Sequence, residues 1–170
     1  ISICNLGWPN FSSLIVVTHL HLVSTDGADP NIMSPPSAID LPDDFTIDVH
    51  THAVPQFFKD ALIASGMPVV GGTVLVDGFM TPKWDIDSYM ERRDQLRCDF
   101  SIMSVTSPGV NFAQGSEAAN LARRLNESMA KSIATRPSRL GAFGVLPLPD
   151  VAASLVEIKN EPRMAVKVDA

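Results

Sequence analysis

Cysteine is scarce in this chain. Cys4 and Cys98 are the only two in 170 residues, and no C-x-x-C pair occurs. A disulfide framework and a thiolate zinc site are therefore excluded. Reduced thiols and a cytoplasmic location are the expectation. No Lys or Arg precedes Lys59, so the short apolar run Leu14 to Val17 has no basic region ahead of it. Thr18, His19 and His21 then break that run, and neither a signal peptide nor a membrane span is expected. The net charge of −6 gives no electrostatic case for nucleic acid or anionic lipid. Arg92, Arg93, Arg123 and Arg124 sit among acids on helical segments, which reads as solvated helix faces. Also missing are a phosphate loop around Gly71-Gly72, an internal repeat and a low-complexity tract. Histidine stops early too: of four in the chain, none follows His52.

What remains is apolar. Hydrophobic residues make up 45% and the mean hydropathy is +0.14, which suits a fold with fully buried strands. Residues 24–44 are dominated by Ser, Gly, Pro and Asp and read as a linker. Met33-Ser34-Pro35-Pro36 has the character of a natural start, so residues 1–32 are expected to be upstream extension. The division is thus 1–44 extension or linker, and 45–170 folded domain. The sequons at Asn10 and Asn126 are taken as chance matches.

Within the domain, Phe45 to His50 reads as a strand and Pro55 to Ser65 as a helix. Residues 66–83 hold four Gly and two Pro, a long excursion with room for a small hairpin. Asp85 to Arg97 reads as a helix capped by Asp85 or Asp87. Phe100 to Val105 is the next strand, and Thr106 to Gly109 a turn. Ser116 to Thr135 is the clearest helix, with Ala118, Leu121, Ala122, Leu125, Met129 and Ile133 at three- and four-residue steps. Leu140 to Leu146 reads as a third strand, Val151 to Lys159 as a helix, and Ala165 to Val168 as a fourth strand. This alternation is the signature of α/β architecture with a parallel sheet and crossover helices, three to four βα units in all.

The chemistry concentrates in Ile47-Asp48-Val49-His50-Thr51-His52. Residues i and i+2 of a strand share a face, so His50 and His52 can offer two imidazoles to one ion. Neutral imidazole suits Zn²⁺, Mn²⁺ or Fe²⁺. His19-Leu20-His21 has the same spacing but no βα unit behind it, and is read as chance. Spacing alone therefore does not decide the matter. Asp48 could hydrogen-bond a ligand histidine, but alternation is expected to point it away from the His50/His52 face, and capping or sheet-edge packing is the simpler expectation. Thr106 and Ser107 end the second strand, where a barrel faces its substrate; a plain turn is an equal reading. Lys167 invites comparison with a bridging strand-end lysine, although a solvated terminus is the simpler account.

Several segments together carry a resemblance. They are Ile47 to His52, Trp84-Asp85-Ile86-Asp87-Ser88-Tyr89-Met90, Ala119 to Glu127, Pro137-Ser138-Arg139-Leu140 and Leu146-Pro147-Leu148-Pro149-Asp150. From residue 45 to about 158 the chain resembles the amidohydrolase-related family, in the subgroup of aminocarboxymuconate-semialdehyde and 6-methylsalicylate decarboxylases. The resemblance implies the N-terminal portion of a (β/α)8 TIM-type barrel that binds one divalent metal; of the ions that suit imidazole, Zn²⁺ is expected first and Mn²⁺ or Fe²⁺ next. It implies a metal-dependent carboxy-lyase acting on a small aromatic or unsaturated carboxylic acid, with His50 and His52 as ligands. The family's further histidines and metal-site aspartate have no counterpart here, so a truncated site is expected, with the acid/base residues beyond this chain. The excursion lacks the arginine of the aminocarboxymuconate enzymes, which favours a salicylate-like acid. The rival expectations are a metal-dependent hydrolase on the same barrel and a non-catalytic half-barrel. An open apolar edge in such a fragment is a route to a homo-oligomer.

Overall fold

The computed structural model describes residues 41–160. Residues 1–32, Cys4, the His19-Leu20-His21 triplet, the sequon at Asn10, the fourth strand at 165–168 and Lys167 lie outside the described residues. So does all but Leu41 to Asp44 of the linker.

Ten elements follow in order: β1 (Ile47–Ala53), α1 (Gln56–Ala64), β2 (Val69–Val70), β3 (Thr73–Val76), β4 (Phe79–Met80), α2 (Ile86–Gln95), β5 (Phe100–Val105), α3 (Gly115–Thr135), β6 (Leu140–Ala142) and α4 (Val151–Asn160). β1, β5 and β6 form a parallel sheet in that order, each reached through helical crossover chain. β5 is central; its first four residues are buried whichever face they point to, while Ser104 and Val105 at its end are only half-buried.

The excursion between α1 and α2 is a second sheet, an antiparallel meander of β2, β3 and β4. Its two turns are Gly71-Gly72 and Asp77-Gly78, all four residues with positive φ. That is the backbone a two-residue hairpin demands.

Two apolar clusters hold these parts together. Val54, Phe58 and Leu62 pack with Val74 and Val76 of the meander and with Val110, Leu121 and Leu125. Ala53, Met103, Leu140 and Ala142 of the parallel sheet pack against Met90 of α2 and Met129 of α3. Phe58, Leu62 and Leu125 are fully buried, each contributing about 1.5–3 kcal/mol over exposure. The second cluster defines the helix-covered face of the sheet; the opposite face carries His50, His52, Ser104 and the 43%-exposed Phe143.

Several expectations change. The first strand continues to Ala53, so His50 and His52 lie within it rather than at its end. The third strand stops at Ala142 rather than Leu146. Asn126 captures Val145 there, accepting its N–H at 2.7 Å and donating to its carbonyl at 3.0 Å, so no ladder partner is needed. Arg93 is not on a solvated face: it is 7% exposed and pairs with Asp48. Asp48 is accordingly half of a buried ion pair on the edge strand, beyond the capping or edge-packing role expected of it. Arg123 is half-buried and pairs with Glu157, while Arg92 and Arg124 stay exposed as expected, Arg124 lying over the Phe57 ring. The sequon at Asn126 falls on a side chain 1% exposed inside α3, as a chance match should.

No helix among the described residues is long and apolar enough to cross a membrane.

Candidate metal centre

β1 pairs with β5 from Ile47↔Phe100 and Asp48↔Ser101 to Thr51↔Met103 and His52↔Ser104. Between Asp48 and His52 the step is four residues on β1 and three on β5, so β1 carries a bulge before Thr51. Simple alternation would put Asp48, His50 and His52 on one face. The extra residue breaks that rule. Asp48, Thr51 and Ala53 turn to the helix-covered side and are buried, while His50 and His52 are exposed on the other. The expected orientation of Asp48 is therefore observed, and the bulge is what produces it.

The two rings stand with centroids 5.3 Å apart and planes at 77°. Edge-on neighbours at that separation can turn their ring nitrogens toward a common point. Ser104, paired in register with His52, contributes a hydroxyl 3.1 Å from its Nδ1. That hydroxyl donates its one proton to the Thr51 carbonyl at 3.1 Å. It must then accept from His52, which places the imidazole proton on Nδ1 and leaves the Nε2 lone pair free for a cation. Burial first, and then the neighbouring His50 ring, hold His52 below the ordinary imidazole range. The ring is thus neutral near pH 7, as a metal ligand needs. Ser104 was missed in the sequence, where one serine in Phe100 to Val105 carries no signal until the strand register is known.

The donor set fits two positions of a divalent-metal site. Among the described residues no group of three or more His, Cys, Asp or Glu gathers around a possible ion, so the two imidazoles stand as candidate donors without a third. Cys98 is buried, with its thiol directed at the Phe100 carbonyl, and takes no part.

Thr106 and Ser107 follow β5 directly, at its C-terminal end. The Ser107 hydroxyl donates to the Asp77 carboxylate at 3.0 Å, tying the tip of the β3–β4 hairpin to the end of β5. Thr106 is half-buried, and its carbonyl closes the turn by accepting from Gly109. The hairpin is thereby held beside the C-terminal edge of the parallel sheet.

No protein-family model matches the chain. It is similar to a 6-methylsalicylic acid decarboxylase of Aspergillus aculeatus, with 36% identity over 115 residues, covering 66% of this chain and 33% of that protein. A second such enzyme, from Penicillium expansum, is 35% identical over 116 residues. The matched segment spans about a third of the length of these curated relatives. Among solved structures, an amidohydrolase II superposes with a TM-score of 0.62 and 26% identity, covering 71% of this chain and 38% of that one. A 5-carboxyvanillate decarboxylase from Sphingomonas paucimobilis gives 0.57 at 22% identity, covering 72% and 41%. A manganese-bound dihydroxybenzoic acid decarboxylase from Polaromonas gives 0.52 at 19%, covering 71% and 36%. Over part of their length the chain is thus similar in sequence to 6-methylsalicylic acid decarboxylases, and its fold is that of amidohydrolase-type structures.

Proposed function

We propose that this chain supplies the opening part of a metal-dependent carboxy-lyase, with β1, β5 and β6 as strands of a (β/α)8 barrel. Its substrate would be a small aromatic carboxylic acid of the 6-methylsalicylate kind. The observation that carries the reading is the histidine pair on the open face of the parallel sheet, in a chain related to 6-methylsalicylic acid decarboxylases. His50 and His52 would hold one divalent ion, Zn²⁺, Mn²⁺ or Fe²⁺; the manganese in the Polaromonas enzyme supports the class of ion rather than its identity. Catalytic zinc sites use three protein ligands and an open position, so the described residues account for two of them. When bound, the ion supplies Lewis-acid stabilisation of negative charge on the substrate.

The remaining work falls to side chains. Ser104 keeps Nε2 of His52 unprotonated. Thr106 and Ser107, at the strand end beside the hairpin, would border the acid's ring. In the reaction the bond between ring carbon and carboxylate breaks, CO₂ leaves, and a proton takes its place on the carbon.

The test is incubation of the full chain, loaded in turn with Zn²⁺ and Mn²⁺, with 6-methylsalicylate, following CO₂ and the phenol formed. Because these residues supply two ligands, the expected result is weak ion binding that disappears in His50→Ala and His52→Ala, and any decarboxylation disappears with it. An ester, lactone and amide panel runs alongside, because the superposition on an amidohydrolase favours hydrolysis as the second reading. Hydrolysis without CO₂ release decides for it. Decarboxylation that survives both alanine variants refutes the assignment of the pair.

A further inference from the structure

Alternation puts His50 and His52 on one face; the bulge in β1 is what turns that face to the open side while Asp48 stays on the covered one, and something must hold it. Where a strand carries an extra residue, the ladder leaves a backbone group unpaired, and a half-buried N–H without a partner is costly. Here the His50 N–H is taken by the Asp48 carboxylate at 2.9 Å. The other carboxylate oxygen of Asp48 accepts from the Arg93 guanidinium, and both side chains are 9% exposed. Arg93 comes from α2, on the far side of the sheet from the histidines. Its guanidinium in turn lies 5.2 Å from the centre of the Tyr89 ring.

We propose that Asp48, clamped by Arg93, is a positioning residue for the metal pair: its carboxylate holds the bulge that turns His50 and His52 toward the ion. The proposal rests on the metal reading of that pair. Asp48 touches neither substrate nor metal; it acts through the backbone of His50. A buried ion pair of this kind is a poor device for stability, since apolar residues of similar volume often replace one at no loss. An aspartate accepting the bulge N–H does something that those residues cannot.

Two paired substitutions in the full chain separate geometry from stability. Asp48→Asn with Arg93→Met removes both charges and keeps an oxygen for the His50 N–H. Asp48→Leu with Arg93→Met removes the charges and the oxygen together. Co²⁺ alone is the probe, titrated near neutral pH and followed by its visible absorption, with circular dichroism confirming the fold. The asparagine pair is expected to bind Co²⁺ within about threefold of the unsubstituted chain. The leucine pair is expected to bind about 10- to 100-fold more weakly, the range for loss of a group that orients a ligand, with an altered spectrum. Equal binding by the leucine pair, or equal loss in both pairs, overturns the proposal.

Hydrogen exchange on the unsubstituted chain gives an answer independent of folding in the variants. The His50 amide should be protected like the neighbouring ladder amides; exchange as fast as at Gly71-Gly72 overturns the clamp. An unsubstituted chain that takes no Co²⁺ refutes the metal reading instead, while His50 exchange still reports on the clamp.

Discussion

At the scale of single residues, His52 shows how much chemistry one register position can carry. It faces Ser104 because β1 and β5 pair in that alignment, and the Thr51 carbonyl then dictates which ring nitrogen keeps its proton. Its depressed pKa has a consequence for the metal-free chain. Unfolded, the imidazole titrates at its ordinary value of 6.5; folded, it does so lower. Between the two values the unfolded state holds the proton and the folded state does not. The stabilisation is therefore full above about pH 6.5 and is lost as pH falls through the depressed folded value. Denaturant titrations from about pH 7.5 down to 5 should show falling stability, and His52→Asn should remove that part of the slope. An unchanged slope in the variant would place the titration elsewhere. The pair itself was legible in the sequence. The serine that orients it was not, because a residue more than fifty positions away becomes a neighbour only when the sheet forms.

At the scale of elements, helices were easier to read than strands. α1, α2, α3 and α4 lie within two residues of where periodicity, Pro55 and the acidic caps put them, because a helix is closed by bonds between near neighbours in sequence. α2 makes the point: Asp85 accepts the Ser88 N–H at 2.9 Å, one of the first-turn donors with no partner inside the helix. That bond holds the Asp85 carboxyl below its usual 3.8. Its stabilisation is present at neutral pH and is lost as pH falls through the lowered value. Asp85→Ala should lower the melting temperature at pH 7, and the difference should vanish toward about pH 2. A melting difference that persists in strong acid would refute the capping account. Strands fared less well. The shortening of β6 depends on Asn126, nineteen positions away, and the β1 bulge depends on which residues of β5 it meets. Neither is written in the local alternation of polar and apolar residues.

At the scale of the whole molecule, α3 and α4 are joined by polar groups where an apolar seam would be the ordinary choice. Glu157 is 3% exposed, held by Arg123 and by the Asn126 amide at 2.9 Å. Meanwhile Val151, Leu155, Val156 and Ile158 on the same helix stand more than half exposed. Asn126 thus satisfies both the end of the sheet and the buried carboxylate. Asn126→Ala leaves the Val145 groups and a Glu157 oxygen short of a partner. Equilibrium unfolding in urea should register a loss of about 3 kcal/mol, the scale for orphaned buried polar groups. A loss below about 1 kcal/mol would mean that water or a shift of α4 replaces the amide.

The sequence by itself determined the alternation of strands and helices, an excursion with room for a hairpin, the acidic cap of α2 and the identity of the two histidines. Each is set by bonds or periodicities that span a few residues. Only the tertiary structure decided which face the histidines occupy, that Arg93 is buried, and that Ser104 and Asp48 serve the pair from opposite sides of β1. Those outcomes hinge on the register of β1 against β5 and on α2 packing beneath them. A shift of one residue in that register turns side chains to the opposite face, and nothing in the local sequence of β1 states which register is adopted.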